Sequence, residues 1–488
     1  MGTKFIPNSA NLYMGKFEEE YVFNNNPHLS KIKFWKRFID DIILIWEGCR
    51  SSFVHAESRT LEAGLLTCRC VIMRLGDFSA DSWHQVISQS VGAVLILVPL
   101  NISAVLQGPE QSFMEREMEL MWNETFLPIY FALEDTEVLD IYHESKAVSQ
   151  SLRSSSALEV MIGMVTGSGF QMTTEEAQSK PIRNPAIVTL EGQLAGQGNV
   201  LELPTVAIVA HYDSSGAAPW LAFGADSNGS GVAALLEMIR LFHLLYSSRR
   251  NQARYNLLFS LTGGGKLNYE GSKRWIEKHL DQSETSLLQD NVAFVICLDT
   301  LANGNSLHLH VSKPPQEGTA HWEFTRALQA VIKSPPFLSV NFSIVHKKVN
   351  LGEEMLAWEH EQFSLRRIPA MTVSHLESHK HGLKNSILDT RSHIDMKKLK
   401  RNTQILTEAL ARFLYKETIT DPSETLQIFQ GELEVQESRL GAILDCLVAQ
   451  PRAAQLIGKN HPLLSTIEHL FRQHLSDVKG HVFKPNDK

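Results

Sequence analysis

Four apolar runs, each closing on polar residues, constrain the fold of this chain more than any other feature. They are TVAIVAHYDS (205–214), RYNLLFSLT (254–262), NVAFVICLDT (291–300) and IPAMTVSHL (368–376). Their centres are continuously apolar rather than alternating, the pattern of strands covered on both faces. Between the first two lies GSGVAALLEMIRLFHLLY (229–246), a helical segment with Val232, Leu235, Leu236, Ile239 and Phe242 on one face. SLHLHVS (306–312) adds a strand, and DMKKLKRNTQILTEALARFLYK (395–416) a closing helix. Strands alternating with helices imply a largely parallel sheet, with the functional residues at its polar strand ends.

The 488 residues suffice for two or three domains. Residues 1–55 differ in character from the rest. Residues 56–155 read as a small α/β lobe, in which CRCVIMRL, VGAVLILVPL and FLPIYFALED are strands and 83–90 and 137–152 are helical. SLRSSSALEV (151–160) reads as a connecting segment, 156–420 as the main α/β domain and 421–488 as a helical extension. That extension is expected to hold two amphipathic helices, 424–449 and 463–478. With a net charge of −8 and no basic stripe, nothing in the sequence suggests nucleic-acid binding. Val91–Leu100 is too short to span a bilayer and fits a buried strand. The start, MGTKFIPNSANLYMGKFEEE, lacks the pattern of a signal peptide and the Ser or Thr of a myristoylation site.

Five cysteines (Cys49, Cys68, Cys70, Cys297, Cys446) form no zinc-ribbon spacing or disulfide framework. Asn101, Asn123, Asn228 and Asn341 each open an Asn-x-Ser/Thr tripeptide that a secretory lumen can glycosylate. Asn228 stands out because it follows Asp226 at the start of a helix, where Asn and Ser also serve as caps. His375, His379 and His381 in SHLESHKHG have the density of a metal site, but a polar loop of this kind reads more simply as solvated surface. Gly263-Gly264-Gly265 suits a tight turn, and the Gly-Lys-Ser/Thr ending of a phosphate loop is missing.

Near the N-terminus, FWKRFIDDI places Asp40 and Asp41 at the end of a strand-like segment, resembling the Tyr-x-Asp-Asp hairpin of retroelement reverse transcriptases. Fifty-five residues cannot supply the fingers, palm and thumb of a polymerase. This stretch is expected to be a transposon-derived fragment outside the fold.

Further along, AHYDSSG, GADSNGSG and CLDTL fall at the ends of runs in the main domain. In that order and spacing they resemble the co-catalytic zinc aminopeptidase family, whose pattern is H-x-D, G-A-D-D-N-x-S-G, E-E-x-G-L-x-G-S, an Asp after a strand, and a final His-Thr. The resemblance implies an aminopeptidase-like mixed sheet flanked by helices. It makes His211 a ligand, Asp213 its orienting partner, Asp226 the bridge between two metals, and Asp299 a ligand of the first site. The same alignment puts Gly265 where the general-base Glu belongs and Lys266 where a second-metal Glu belongs, with Asp389 in place of the last His. Glycine has no group to take a proton from bound water, and an ammonium repels a cation. No cofactor or metal is therefore expected. One expectation is that Lys266 takes the place of the second metal and neutralises Asp226 and Asp299; the other is that it snorkels to solvent.

From 56 to 478 the words VAHYDSSGAAPWLAFGADSNGSGVAALLE, GGGKLNYEGSKRW, LAWEHEQFSLRRIPA and QPRAAQLI resemble the nicalins, nicastrin-like and catalytically inert relatives of those aminopeptidases. The region around AWEHEQF corresponds to one that shapes the aminopeptidase substrate pocket. Membership implies a lumenal domain of an endoplasmic reticulum membrane protein. It implies partnership with the Nodal modulator protein and a small multi-pass membrane protein, beside the ribosome–translocon machinery, and a link to antagonism of Nodal signalling. The signal peptide and C-terminal membrane helix of that family have no counterpart in these residues.

Overall fold

The computed structural model describes residues 34–37, 42–47, 70–88, 93–100, 108–122, 127–154, 170–173, 186–281, 291–353, 355–416 and 427–484. The chain divides into two compact units, 1–182 and 183–488, where the sequence places the break between 155 and 156.

In the first unit, β3 (Cys70–Arg74), β4 (Ala93–Val98) and β5 (Ile129–Leu133) form a parallel sheet in that order. Helices α1 (Ala80–Ser88), α2 (Pro109–Trp122) and α3 (Thr136–Ser154) alternate with the strands, as the small α/β lobe requires. Arg74 reaches across to Glu134 in a bidentate pair of 2.7 and 2.8 Å. A second sheet joins β1 (Phe34–Arg37), β2 (Ile42–Glu47) and β6 (Phe170–Thr173), all antiparallel. Strand β2, from within residues 1–55, thus pairs with β6, from residues 170–173. Asp40, Asp41, Cys68, Asn101 and Asn123 lie outside the described residues.

The second unit is built on eight strands: β7 (Ile187–Leu194), β8 (Thr205–His211), β9 (Asn256–Thr262), β10 (Val292–Leu298), β11 (Ser306–Val311), β12 (Asn341–His346), β13 (Ala370–Ser374) and β14 (Ser476–Phe483). Their order across the sheet is β12-β11-β13-β10-β8-β9-β7-β14. The central pairs β13/β10, β10/β8 and β8/β9 are parallel, as is β11/β12 at one edge. Strand β8 shows why its sequence is continuously apolar. Val206, Ile208 and Ala210 face the main core, while Ala207 and Val209 face a second core on the other side. The main core is covered by α4 (Gly231–Tyr246), α6 (Ala320–Ile332) and α8 (Met396–Tyr415); Trp275 of α5 (Glu270–Asp281) and Phe363 of α7 (His360–Leu365) cover the opposite face. Among the described residues, Ala225–Tyr246 is the one helical stretch apolar and long enough to cross a membrane, and here it is buried core.

The last segment departs from its expected form. Helices α9 (Glu437–Leu447) and α10 (Pro462–His474) are present, but 476–483 is strand β14, antiparallel to β7 at the edge of the main sheet. SDVKGHVF carries too many polar residues to look like a strand alone, because an edge strand has a largely solvated face. Residues 427–436 are bound to the core by buried carboxylates. Glu408 accepts from the Ile428 amide at 2.9 Å, and Glu237, itself paired with Arg240, accepts from the Gln436 amide at 3.0 Å.

Candidate functional site

The parallel strands deliver their polar ends to one place, as such sheets do. His211 closes β8, the triple glycine follows β9, Asp299 follows β10 and His375 follows β13. Each glycine answers a different demand. Gly264 has φ +67°, a left-handed backbone that disfavours side chains. A Cβ on Gly263 would lie 2.5 Å from the Tyr212 hydroxyl.

Gly265 is the informative one. A Cβ there would lie 2.3–2.5 Å from Cγ, Cδ2 and Cβ of His211. The position lacks a carboxylate, and the imidazole also fills the space through which one would enter. Restoring glutamate at 265 therefore has to displace a fully buried ring. Gly265→Glu is expected to cost about 1–3 kcal/mol of stability by overpacking and to gain no aminopeptidase activity; a melting curve and an aminoacyl-anilide assay check both.

Both ring nitrogens of His211 are enclosed without a hydrogen bond, and Nδ1 lies 3.5 Å from Glu359 Oε2. Glu359, which sequence reasoning missed, is fully buried; its Oε1 accepts from Thr262 Oγ1 at 2.7 Å and Ser272 Oγ at 2.6 Å. The hint was present in AWEHEQF, but nothing in the spacing tied that word to His211. Asp213 is not the partner of His211 that the resemblance implies. Its two oxygens accept the amides of Gly265 and Lys266, both at 2.8 Å, and so hold the glycine turn.

Asp299 is fully buried and its Oδ2 lies 2.9 Å from Lys384 Nζ. Burial works to raise its pKa, but Lys384, His211 and Lys266 prevail and hold its carboxyl below the ordinary range. Lys384 also donates to the Tyr269 hydroxyl and the Ala357 carbonyl, each at 3.2 Å, and its ammonium stands 3.7 Å from the Trp358 ring centroid. Lys384 thus pairs with Asp299, one of the two carboxylates that one sequence expectation assigns to Lys266.

Lys266 neither snorkels nor pairs directly with Asp226 or Asp299. Its ammonium turns inward and donates to Ser227 Oγ at 2.7 Å and to the Lys384 carbonyl at 2.6 Å. Burial, reinforced by Lys384, pushes its pKa down to about 8, against the pull of Asp299, Asp213 and Asp389.

Asp226 is drawn away from this centre. One oxygen accepts from Ser230 Oγ and the Ala302 amide, and the other meets His375 Nε2 at 2.7 Å and Asn303 Nδ2 at 3.0 Å. The residue facing Lys266 is Ser227. His375 is correspondingly an internal partner of Asp226 rather than solvated surface; of the same loop, His381 is exposed.

Asp389 accepts the amides of Asp226 and Ser227 at 2.9 and 2.8 Å. Burial and the nearby Asp226 carboxylate push its pKa up to about 7. A raised carboxyl favours the folded state fully below its ordinary pKa near 4, and that contribution is lost as pH rises through about 7. Urea titrations from pH 4 to 8 should therefore show wild type losing stability with pH relative to Asp389→Asn.

Asn228 cannot carry a glycan in the folded chain. It is fully buried, with Nδ2 donating to the carbonyls of His211 (3.2 Å) and Leu298 (2.7 Å) and Oδ1 accepting from the Thr300 amide (3.2 Å). Peptide mapping after glycosidase treatment of secretory-pathway protein is expected to find Asn228 unmodified. Asn341, on edge strand β12, is exposed.

One residue from the C-terminal segment holds these loops together. Arg452 is fully buried and donates to the carbonyls of Tyr212 (2.8 Å), Phe223 (2.9 Å) and Gly224 (2.5 Å). Sequence gave no sign of this, because QPRAAQ stands far from any catalytic word.

A two-metal centre does not fit these side chains. Position 265 has no carboxylate, Asp226 and Asp299 are already matched by His375 and Lys384, and two ammonium groups occupy the surroundings. A divalent cation would have to displace an ion pair and sit beside like charge.

Residues 191–410 match the model of peptidase family M28. The BOS complex subunit ncln of Danio rerio is 49% identical over 456 residues, covering 90% of this chain and 79% of that protein. The chain belongs to the NCLN family of BOS complex subunits. Another NCLN family member, the BOS complex subunit NCLN of Homo sapiens, is 50% identical over 441 residues, with 90% of this chain and 78% of that one covered. Nicalin of Caenorhabditis elegans is 29% identical over 393 residues, covering 78% and 68%. Among solved structures, the gamma-secretase component nicastrin overlays with a TM-score of 0.49 at 12% identity, covering 78% of this chain and 73% of that one. A zinc aminopeptidase from Bacillus subtilis overlays with a TM-score of 0.37 at 15% identity, covering 74% and 73%.

Proposed function

We propose that this chain is a non-enzymatic scaffold subunit of an endoplasmic reticulum membrane complex, acting from the lumenal side. The observation that carries the reading is the direct pairing of Asp299 with Lys384, beside a second inward-facing lysine, where an M28 peptidase needs cations and a base. A site of this kind holds the strand ends together with internal ion pairs instead of metal bonds. Kinship with proteins named as BOS complex subunits supports an assembly role. The partners of this reading are the Nodal modulator protein and a small multi-pass membrane protein, with the ribosome–translocon reached through them and antagonism of Nodal signalling as a downstream consequence. The test is affinity purification of a membrane-anchored form from cells. Co-purification of the Nodal modulator supports the scaffold; its reproducible absence overturns it.

Glu359 gives the competing reading its one foothold, since a buried glutamate beside His211 is a candidate base. Its hydroxyl partners Thr262 and Ser272 and its full burial fit a structural carboxylate better. An aminopeptidase activity abolished by Glu359→Gln in a folded variant would favour the enzyme.

A further inference from the structure

Away from the strand-end site, three side chains from three elements converge on the other edge of the sheet. Glu191 of β7 is buried, and its Oε2 lies 2.8 Å from Nε2 of His279 in the last turn of α5. Its Oε1 lies 3.0 Å from Nε2 of His481 on β14. The strand register explains the meeting: Lys479 is directly opposite Glu191 and His481 opposite Thr189, which makes His481 the diagonal neighbour on the same face. All three ligand atoms lie within 4.8 Å of one another.

We propose that Glu191, His279 and His481 form a binding site for a zinc-class divalent cation that fastens the last strand to the domain. Two imidazole nitrogens and a carboxylate oxygen are borderline donors of the kind that zinc selects. In a tetrahedral site with bonds of ~2 Å, ligand atoms stand roughly 3.3 Å apart; here the two imidazole nitrogens lie 2.8 and 3.0 Å from the two different oxygens of Glu191, so a cation would need the side chains to adjust around it by about an ångström or more. A second observation concerns burial. His481 is 7% exposed, and its Nε2 faces Glu191 Oε1 at 3.0 Å in a geometry out of line for a regular hydrogen bond. A buried ring nitrogen is thus aimed into the cluster, and metal binding would replace its proton.

The surroundings supply what a metal site needs. Trp275 Nε1 donates to Glu191 Oε2 at 2.5 Å, and the Trp275 ring packs edge-on against His279 with centroids 5.0 Å apart. Both contacts orient ligands from behind, as outer partners do in metal sites. One neighbour opposes the cation. Lys278 Nζ lies 2.6 Å from His481 Nδ1. Coordination at Nε2 puts the imidazole proton on Nδ1, so the half-buried ammonium must turn outward. The fourth coordination position is left to water. Protons and metal compete for the same nitrogens, so binding weakens as pH falls.

The test uses the full chain, stripped with chelator and titrated with Zn²⁺ by calorimetry, with Co²⁺ as a spectroscopic probe. Expected are one tight site per chain and a visible Co²⁺ spectrum of tetrahedral intensity. His481→Gln and His279→Gln, each confirmed folded by circular dichroism, should each weaken binding by more than about ten-fold. Lys278→Met should tighten it, an effect that a purely structural ion pair would not produce. His379→Gln, in the separate histidine loop, should leave it unchanged. Binding absent at micromolar zinc, or equal in wild type, His279→Gln and His481→Gln, overturns the proposal.

Discussion

Replacing Lys384 with methionine is expected to lower the unfolding free energy of the 183–488 unit by about 3–5 kcal/mol, the range for breaking a buried ion pair from one side. The variant leaves Asp299 fully buried with its nearest cation removed, while the Tyr269 hydroxyl and the Ala357 carbonyl lose a donor. Methionine has a similar length and keeps the packing on Trp358, so the loss reports charge rather than a cavity. Urea unfolding followed by tryptophan fluorescence reads it, since Trp358 lies beneath the ammonium. Lys384→Met combined with Asp299→Leu should recover a large part of the loss, because a matched apolar pair no longer strands a charge. If the single substitution costs less than about 1 kcal/mol, the pair is not the buried, compensated contact argued here.

Arg452→Ala is expected to be of comparable size, about 3 kcal/mol or more. Three carbonyls at the mouths of two loops lose their donors, and each unsatisfied buried group costs about 1–3 kcal/mol before relaxation. Arg452→Lys should rescue little, because one ammonium cannot reproduce the planar fork that meets Tyr212, Phe223 and Gly224 together. Hydrogen exchange should show the damage locally, with amides of 212–226 exchanging faster than those of β10 and β13. Exchange unaltered in that segment would mean that the C-terminal arginine does not hold the site loops.

Much of the architecture was legible because it rests on periodicity. Strand β8 and helix α4 are apolar where both faces or one face are covered, and the peptidase-like order of the strand-end motifs follows from the same topology. The site was legible only as a set of positions. Gly265 and Lys266 were identified as departures from the zinc aminopeptidase pattern, but which cation meets which carboxylate depends on where loops 357–361 and 375–389 fold back. Sequence distance hides that: Lys384 meets Asp299 across 85 positions, and His375 meets Asp226 across 149. Two further limits share a cause. Asn228 is a glycan candidate as well as a cap by sequence, and a helix is expected to run on to 478, because local composition shows neither the burial of the first nor the edge pairing that begins at 476.

The most direct measurement of the central claim is turnover of aminoacyl anilides by the purified full chain with zinc supplied in excess. The account predicts no release above buffer at any pH between 6 and 9, whether or not the Glu191 cluster has bound metal. Release that saturates with substrate and disappears in a folded Asp299→Asn variant would contradict it.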